Sequence, residues 1–189
     1  MKRLLCCLTL LVVSLTASAQ MQAQAPKGPA SPPAAAVGTI GSKSVWIAYS
    51  SPGVKGREGK IFTKDGLIKT SRGSQYPIWR VGANSATTLI LSGKVKIGTL
   101  EVPPGAYTLF ADISDPSNWT LIVNKATGEW GLGYDSTKDL GKTPMTMSAP
   151  SSTIENLKWE IADKGDGTGT ITLSWENHTA SVAVDTNIK

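Results

Sequence analysis

Seven residues carry chemistry worth assembling: Lys55, Arg57, Trp79, Arg80, Asn84, Trp130 and Asp135. Arginine presents a planar fork that pairs with carboxylate or phosphate, and asparagine donates and accepts at once. Arg80 and Asn84 stand four apart, with Thr87 and Thr88 just beyond, and Lys55 and Arg57 lie in a glycine-rich stretch upstream. Together these residues would make a small anion- or sugar-binding cleft, with Trp79 or Trp130 as a stacking face for a sugar ring. The same residues have plainer uses. Arg80 can pair with Asp112 or Asp135, Asn84 can cap a turn, and strand tryptophans more often fill a core. Cations gathered in one place need an anion among them. The expectation is therefore that Lys55, Arg57, Arg80 and Asn84 converge on one face around a ligand anion or an internal acid.

Other motifs are weaker. Gly141-Lys142-Thr143 lacks the glycine five residues earlier, where Ser136 stands, and Pro144 follows where a phosphate loop needs a helix. Gly131 and Gly133 have no third glycine, and the chain has no Gly-x-Ser-x-Gly. The one histidine, His178, excludes a His-based zinc site from this chain alone; beside Asn177 it reads as an exposed turn residue. Asp163-x-x-Asp166-Gly167 lacks the alternating ligands of a calcium loop and reads as a hairpin turn. Asn118-Trp119-Thr120 and Asn177-His178-Thr179 match the glycosylation sequon, which matters only in a eukaryotic secretory pathway. No catalytic residue, metal or cofactor is assigned.

The elements that must position these residues are short. Apolar segments with period-two or continuous character cover 45–49, 87–91, 95–97, 106–113, 119–124, 145–147, 153–162, 170–176 and 181–184. Gly, Pro, Asn and Asp separate them, and no stretch holds a helical period. That rhythm predicts an all-β domain of roughly nine or ten short antiparallel strands, a two-sheet sandwich or a jelly-roll-like barrel. Tyr107 and Trp175 sit in alternating strands and are predicted core positions. The stretch 50–76 holds six cations and five glycines and is predicted to be a long surface loop.

Composition bounds the setting. Lys2 and Arg3, an apolar run over 4–15 and Ala17-Ser18-Ala19 read as a signal peptide over 1–19, cleaved before Gln20. The Ala, Gln and Pro of 20–36 read as a disordered linker, leaving one domain over 37–189. Both cysteines, Cys6 and Cys7, fall in the leader. Without Lys2 and Arg3 the 19 basic residues become 17 against 14 acidic, so the net charge drops from +5 to +3. The basic residues are scattered, which argues against a nucleic-acid partner, and no apolar run is long enough for a membrane span after cleavage. The expected location is periplasmic or secreted.

Several longer pieces are more specific than generic sandwich filler. They are Tyr49-Ser50-Ser51-Pro52-Gly53-Val54-Lys55-Gly56-Arg57 with Ile61-Phe62, Trp79-Arg80-Val81-Gly82-Ala83-Asn84, and Trp130-Gly131 with Tyr134-Asp135. With Pro104-Gly105-Ala106-Tyr107, Trp119-Thr120-Leu121 and Leu173-Ser174-Trp175-Glu176-Asn177 they resemble a bacterial exported family, the domain of unknown function 2911 (DUF2911). The resemblance runs from about residue 38 to residue 184. Gly53 stands where other members often carry a bulkier residue, and the loop 64–76 is longer than usual. The resemblance implies a β-sandwich in the envelope or outside the cell and implies no reaction. The residues favour a non-enzymatic protein that binds a small anionic molecule, a glycan or an envelope protein. The alternative is a hydrolase-like enzyme using an Asp with Arg80 and Asn84. An enzyme requires a pocket with a carboxylate of raised pKa beside Arg80; a binding module requires a shallow groove with an exposed Trp.

Overall fold

The computed structural model describes residues 30–68 and 77–188. The expected leader and the start of the expected linker, 20–29, lie outside the described residues. In chain order the first strands are β1 (Pro33–Ile40), β2 (Lys43–Ser50), β3 (Ile78–Trp79), β4 (Thr87–Leu91), β5 (Val95–Ile97) and β6 (Leu100–Val102). Then come β7 (Gly105–Asp112), β8 (Thr120–Asn124), a 3-10 turn (Ser136–Lys138), β9 (Asp139–Pro144) and β10 (Thr146–Ser148). Last are β11 (Ile154–Asp163), β12 (Thr168–Glu176) and β13 (His178–Asp185). One sheet orders its strands β1-β2-β4-β7-β8-β9, with β3 also on β7; the other orders them β11-β12-β13-β5-β6, with β10 on β13. All pairings are antiparallel. The two sheets pack as a sandwich and do not close into a barrel. Among the described residues no helix is long and apolar enough to cross a membrane.

Two expectations need correction. The linker does not extend to residue 36, because β1 begins at Pro33 and pairs in unbroken register with β2, from Pro33 opposite Ser50 to Ile40 opposite Lys43. Its Pro-Ala-Ala-Ala start shows no apolar period, and its strand state comes from the partner strand, not from its own side chains. Proline is tolerated there because β1 is the edge and Pro33 its first residue. The described residues also hold thirteen strands rather than nine or ten. The additional ones are β1, β3, β6 and β9, each short or rich in small and polar residues.

The core fills the space between the sheets. From the first come Val45, Ile47, Leu89, Leu91, Tyr107, Leu109, Leu121 and Val123. Facing them from the second are Leu157, Trp159, Ile171, Leu173, Trp175, Val182 and Val184. Tyr107 and Trp175 are buried as expected. Tyr107 keeps its hydroxyl satisfied by donating to Pro103 O at 2.9 Å. Glycines close the two lateral seams. A Cβ on Gly38 of β1 would meet Ile161 Cγ2 of β11 at 2.8 Å, and one on Gly141 of β9 would meet Leu100 Cδ2 of β6 at 2.5 Å.

After β2 the chain crosses between layers. Residues 51–54 are buried and bond to the irregular part of β11, Val54 N to Glu155 O at 2.8 Å and Leu157 N to Pro52 O at 3.0 Å. This crossing launches the cation-rich loop from the same end of the sandwich that carries the turn between β12 and β13.

Candidate functional site

The loop 55–68 is a chain of turns. Lys55, Gly56 and Gly59 all have positive φ, at 52°, 70° and 68°. Arg57 N bonds Val54 O, Lys60 N bonds Arg57 O, and Leu67 N bonds Ile61 O at 2.8 Å. The loop is pinned to the sandwich by Gly59 N, which donates to the Glu176 carboxylate at 2.6 Å. Glu176 is 2 % exposed and has φ of 54°. A buried carboxylate is stable only when hydrogen-bonded or paired. The Gly59 amide meets that need, and His178 Nδ1 lies 3.7 Å from its other oxygen.

Beneath the loop lies an aromatic cluster. Phe62 touches Trp79, Trp119, Trp175 and His178, with ring centroids 5.6, 4.9, 5.8 and 4.4 Å away. Trp79 stacks on Trp175 at 5.9 Å. His178 lies flat on Trp119, with 8° between the rings. It is not the exposed turn residue expected from Asn177-His178: its ring is half-buried and packed in the cluster, and its Nδ1 is buried without a hydrogen-bond partner among the described residues. Burial pulls its pKa below the ordinary imidazole value, and Glu176 offsets this only in part. The indole nitrogens of Trp119 and Trp175 are buried without a partner among the described residues.

Three cavities open nearby. The largest, about 630 Å³, lies between the loop and Trp175 and is lined by Arg57, Lys60, Ile61, Asp65 and Leu67 among others. Arg57 donates to Val54 O at 2.9 Å and Gly53 O at 2.7 Å, and its guanidinium carbon lies 6.0 Å from the Trp175 ring. The second, about 140 Å³, is lined by Trp79, Arg80, Gly131 and Leu132 and shares Gly66 and Leu67 with the first. The third, about 300 Å³, involves Asn124, Glu129, Tyr134, Asp135 and Lys138.

The seven sequence-predicted residues are distributed over these places. Arg57 lines the largest cavity. Arg80 and Trp79 line the second, but Trp79 is 4 % exposed and gives its indole N–H to Gly82 O, so it is core and no stacking face. Arg80 donates to Gly131 O at 3.3 Å and leaves Nε buried without a partner among the described residues. Burial lowers its pKa, although a guanidinium remains charged. Lys55 Nζ donates to Ala30 O at 2.7 Å, and Asn84 Nδ2 reaches Ser31 O and Ser50 Oγ at 3.4 Å. Both therefore fasten the incoming chain. Trp130 is 62 % exposed and bridges to Ser85. Asp135 caps the 3-10 turn by accepting from Thr137 N and Oγ1, and these bonds hold its carboxyl below the usual range. Asp112 is engaged in the same way by Ser114. Among the described residues neither Asp forms an ion pair with Arg80.

The Trp-Arg-Val-Gly-Ala-Asn piece has a structural use that its composition hides. Val81 and Asn84 take positive φ, 46° and 57°, unusual for a β-branched residue and common for Asn. The turn is held by Trp159 Nε1 and Thr87 Oγ1, which both donate to Val81 O, at 3.1 and 3.2 Å. Sequence reasoning missed Glu176, His178 and Phe62. Their only signal is a polar pair after an alternating strand and an apolar pair inside a loop.

The model for the family described as protein of unknown function (DUF2911) matches residues 31–184. Set against curated proteins and against solved structures, the chain matches none.

Proposed function

This chain belongs to the family described as protein of unknown function (DUF2911), and on that premise we propose that it is an exported binding protein, not an enzyme, that takes a small organic anion between the loop 55–68 and Trp175. The observation that carries the reading is the Arg57 guanidinium. It lines a cavity of about 630 Å³, within the range of small-molecule sites, and has no ion-pair partner among the described residues. Lys60 adds a second cation against a single acid, Asp65, while Ile61, Leu67 and Trp175 supply an apolar wall. Such a lining suits a carboxylate or phosphate carried on an apolar body.

Binding is favoured over hydrolysis because the acids that a hydrolase would need are committed elsewhere. Asp112 and Asp135 are occupied in turns, and the bonds from Thr137 hold the Asp135 carboxyl below its usual range. Export rests on Lys2, Arg3, the apolar run 4–15 and the Ala-Ser-Ala of 17–19. N-terminal sequencing of the protein recovered outside the cytoplasm should begin at or near Gln20.

The decisive test is thermal shift of the domain against a panel of aromatic and aliphatic carboxylates, sugar phosphates and inorganic phosphate. A stabilising compound should lose its effect with Arg57→Ala and keep part of it with Arg57→Lys. An unresponsive panel, or an undiminished response from Arg57→Ala, sinks the reading.

A further inference from the structure

The anion cavity has a neighbour with a cation of its own. The cavities of about 630 and 140 Å³ meet at one turn, because Gly66 and Leu67 line both. The smaller is walled by Leu67, Pro77, Ile78, Trp79 and Leu132, and Arg80 is its one charged residue among the described residues. Arg80 is fixed in direction. Its side chain lies flat against the chain at Gly131, where a Cβ would run into its Cδ. Nη1 gives its bond to Gly131 O, whereas Nη2 makes no hydrogen bond among the described residues and is not buried. Arg57, across the turn, is likewise held by main-chain oxygens alone, those of Val54 and Gly53. Neither guanidinium forms an ion pair among the described residues. A partly buried cation without a counter-charge carries a desolvation cost, and two such cations flank a single turn. They are also near each other. Arg57 Cζ lies 6.0 Å from the Trp175 ring, which stacks at 5.9 Å on Trp79, a wall of the second cavity.

Resting on the reading of the larger cavity as an anion site, we propose that the ligand is an α,ω-dicarboxylate with an apolar middle. One carboxylate meets Arg57, the other meets Arg80 at Nη2, and the chain between them lies across Leu67. Three observations select that ligand. Each arginine fork matches one carboxylate, and a single-headed acid would leave one of the two cations unmet. At about 140 Å³ the smaller cavity is below the size of an independent small-molecule site and suits the end of a longer molecule. The residues between the two cations are Ile61, Gly66, Leu67 and Ile78, so a polar middle such as a sugar would lose its hydrogen bonds to water and find none in return. Gly66 and Leu67 are only partly buried, which leaves the crossing open to a ligand.

The test is isothermal titration calorimetry of the protein with linear dicarboxylates from succinate to sebacate, each set against the monocarboxylate of the same length. At least one dicarboxylate should bind about tenfold more tightly than its monocarboxylate, because it adds a second charge-assisted contact. Arg80→Gln should bring that dicarboxylate down to the affinity of the monocarboxylate, and Arg80→Lys should keep part of the difference. Monocarboxylate affinity, which draws on Arg57, reports whether each variant has kept the larger cavity. Equal affinity of the wild-type protein for mono- and dicarboxylates overturns the proposal and leaves the Arg57 reading standing. So does a dicarboxylate preference that survives Arg80→Gln, since the second carboxylate would then sit on Lys60. Should the glutamine variant fail to fold, an unreduced preference in Arg80→Lys has the same force. Wild-type protein that binds no carboxylate of either kind removes both readings together.

Discussion

The two halves of one sheet face are built from similar apolar side chains and end differently. Over β7 and β8, Phe110 and Ile122 are 2 and 0 % exposed and form a small second core with Ala86. The segment between β8 and β9 folds back over them. Tyr134 meets Phe110 edge-on at 5.1 Å, Thr108 donates to Ala126 O, and Asn124 donates to Asp135 O and Asp139. Over β1, β2 and β4, Val37, Trp46 and Ile90 have no such cover among the described residues. The difference lies in the connections. The turn between β1 and β2 is Gly41-Ser42, too short to fold over its own sheet, whereas fourteen residues separate β8 from β9. Apolar surface on a strand is thus buried or left bare according to the loop beside it.

The comparison can be broken most directly by truncation. Phe110→Ala should lower stability by about 3–5 kcal/mol, because a fully buried ring leaves a cavity. Trp46→Ala should change it by only about 0.5 kcal/mol. Equal losses in urea denaturation would show that Trp46 is part of the core after all. Next in size is Glu176→Ala, expected to cost about 2–3 kcal/mol, since the Gly59 amide loses a buried charged acceptor. Hydrogen exchange at Gly59 should rise in that variant and stay unchanged in Phe110→Ala. Exchange that responds alike in both would mean that the loop 55–68 and the cover over Phe110 open together.

Tyr134→Phe sharpens the covered half. Its hydroxyl donates to Asp139 at 2.7 Å, so the loss should be about 1 kcal/mol near neutrality. Burial, the bond to Asp139 and the nearby carboxylates raise the phenol pKa well above 10.0. The unfolded chain therefore releases this proton first, and wild-type stability should fall as pH rises past about 10. The variant should show a shallower alkaline slope. The smallest effect belongs to His178. Burial lowers its folded pKa below 6.5, so the unfolded chain takes up the proton first. The stability from the neutral ring is present above pH 6.5 and declines as pH falls through the folded pKa. His178→Gln should flatten that acid limb, and an identical acid slope in the variant would show that the ring titrates as if exposed.

Much of the fold is legible along the chain because alternation reports burial directly. The segments 87–91, 95–97 and 170–176 alternate and become β4, β5 and most of β12. Tyr107 and Trp175 read as core and are core. β1 is not legible, since its alanines acquire strand geometry only from β2. Less of the candidate site can be read. Arg57 and Trp175 share a cavity across more than a hundred residues of sequence, and no local pattern reports that meeting. Trp79 and Trp130 look alike as letters. One is pinned by Gly82 O within the aromatic cluster, the other stands on a loop, and that assignment comes from tertiary packing alone.

The two seam glycines bear on what happens when such molecules crowd together. A bare apolar sheet face beside an open strand edge is a template on which further strands can add and stack into fibrils. Here Gly38 lets β1 lean onto β11, and Gly141 lets β9 lean onto β6, so the lateral edges face one another instead of the solvent. The bare apolar row is thereby uncoupled from the backbone edges along which further strands would add. Two positions with no side chain let the protein leave apolar side chains uncovered while drawing in the edges that fibril growth would need.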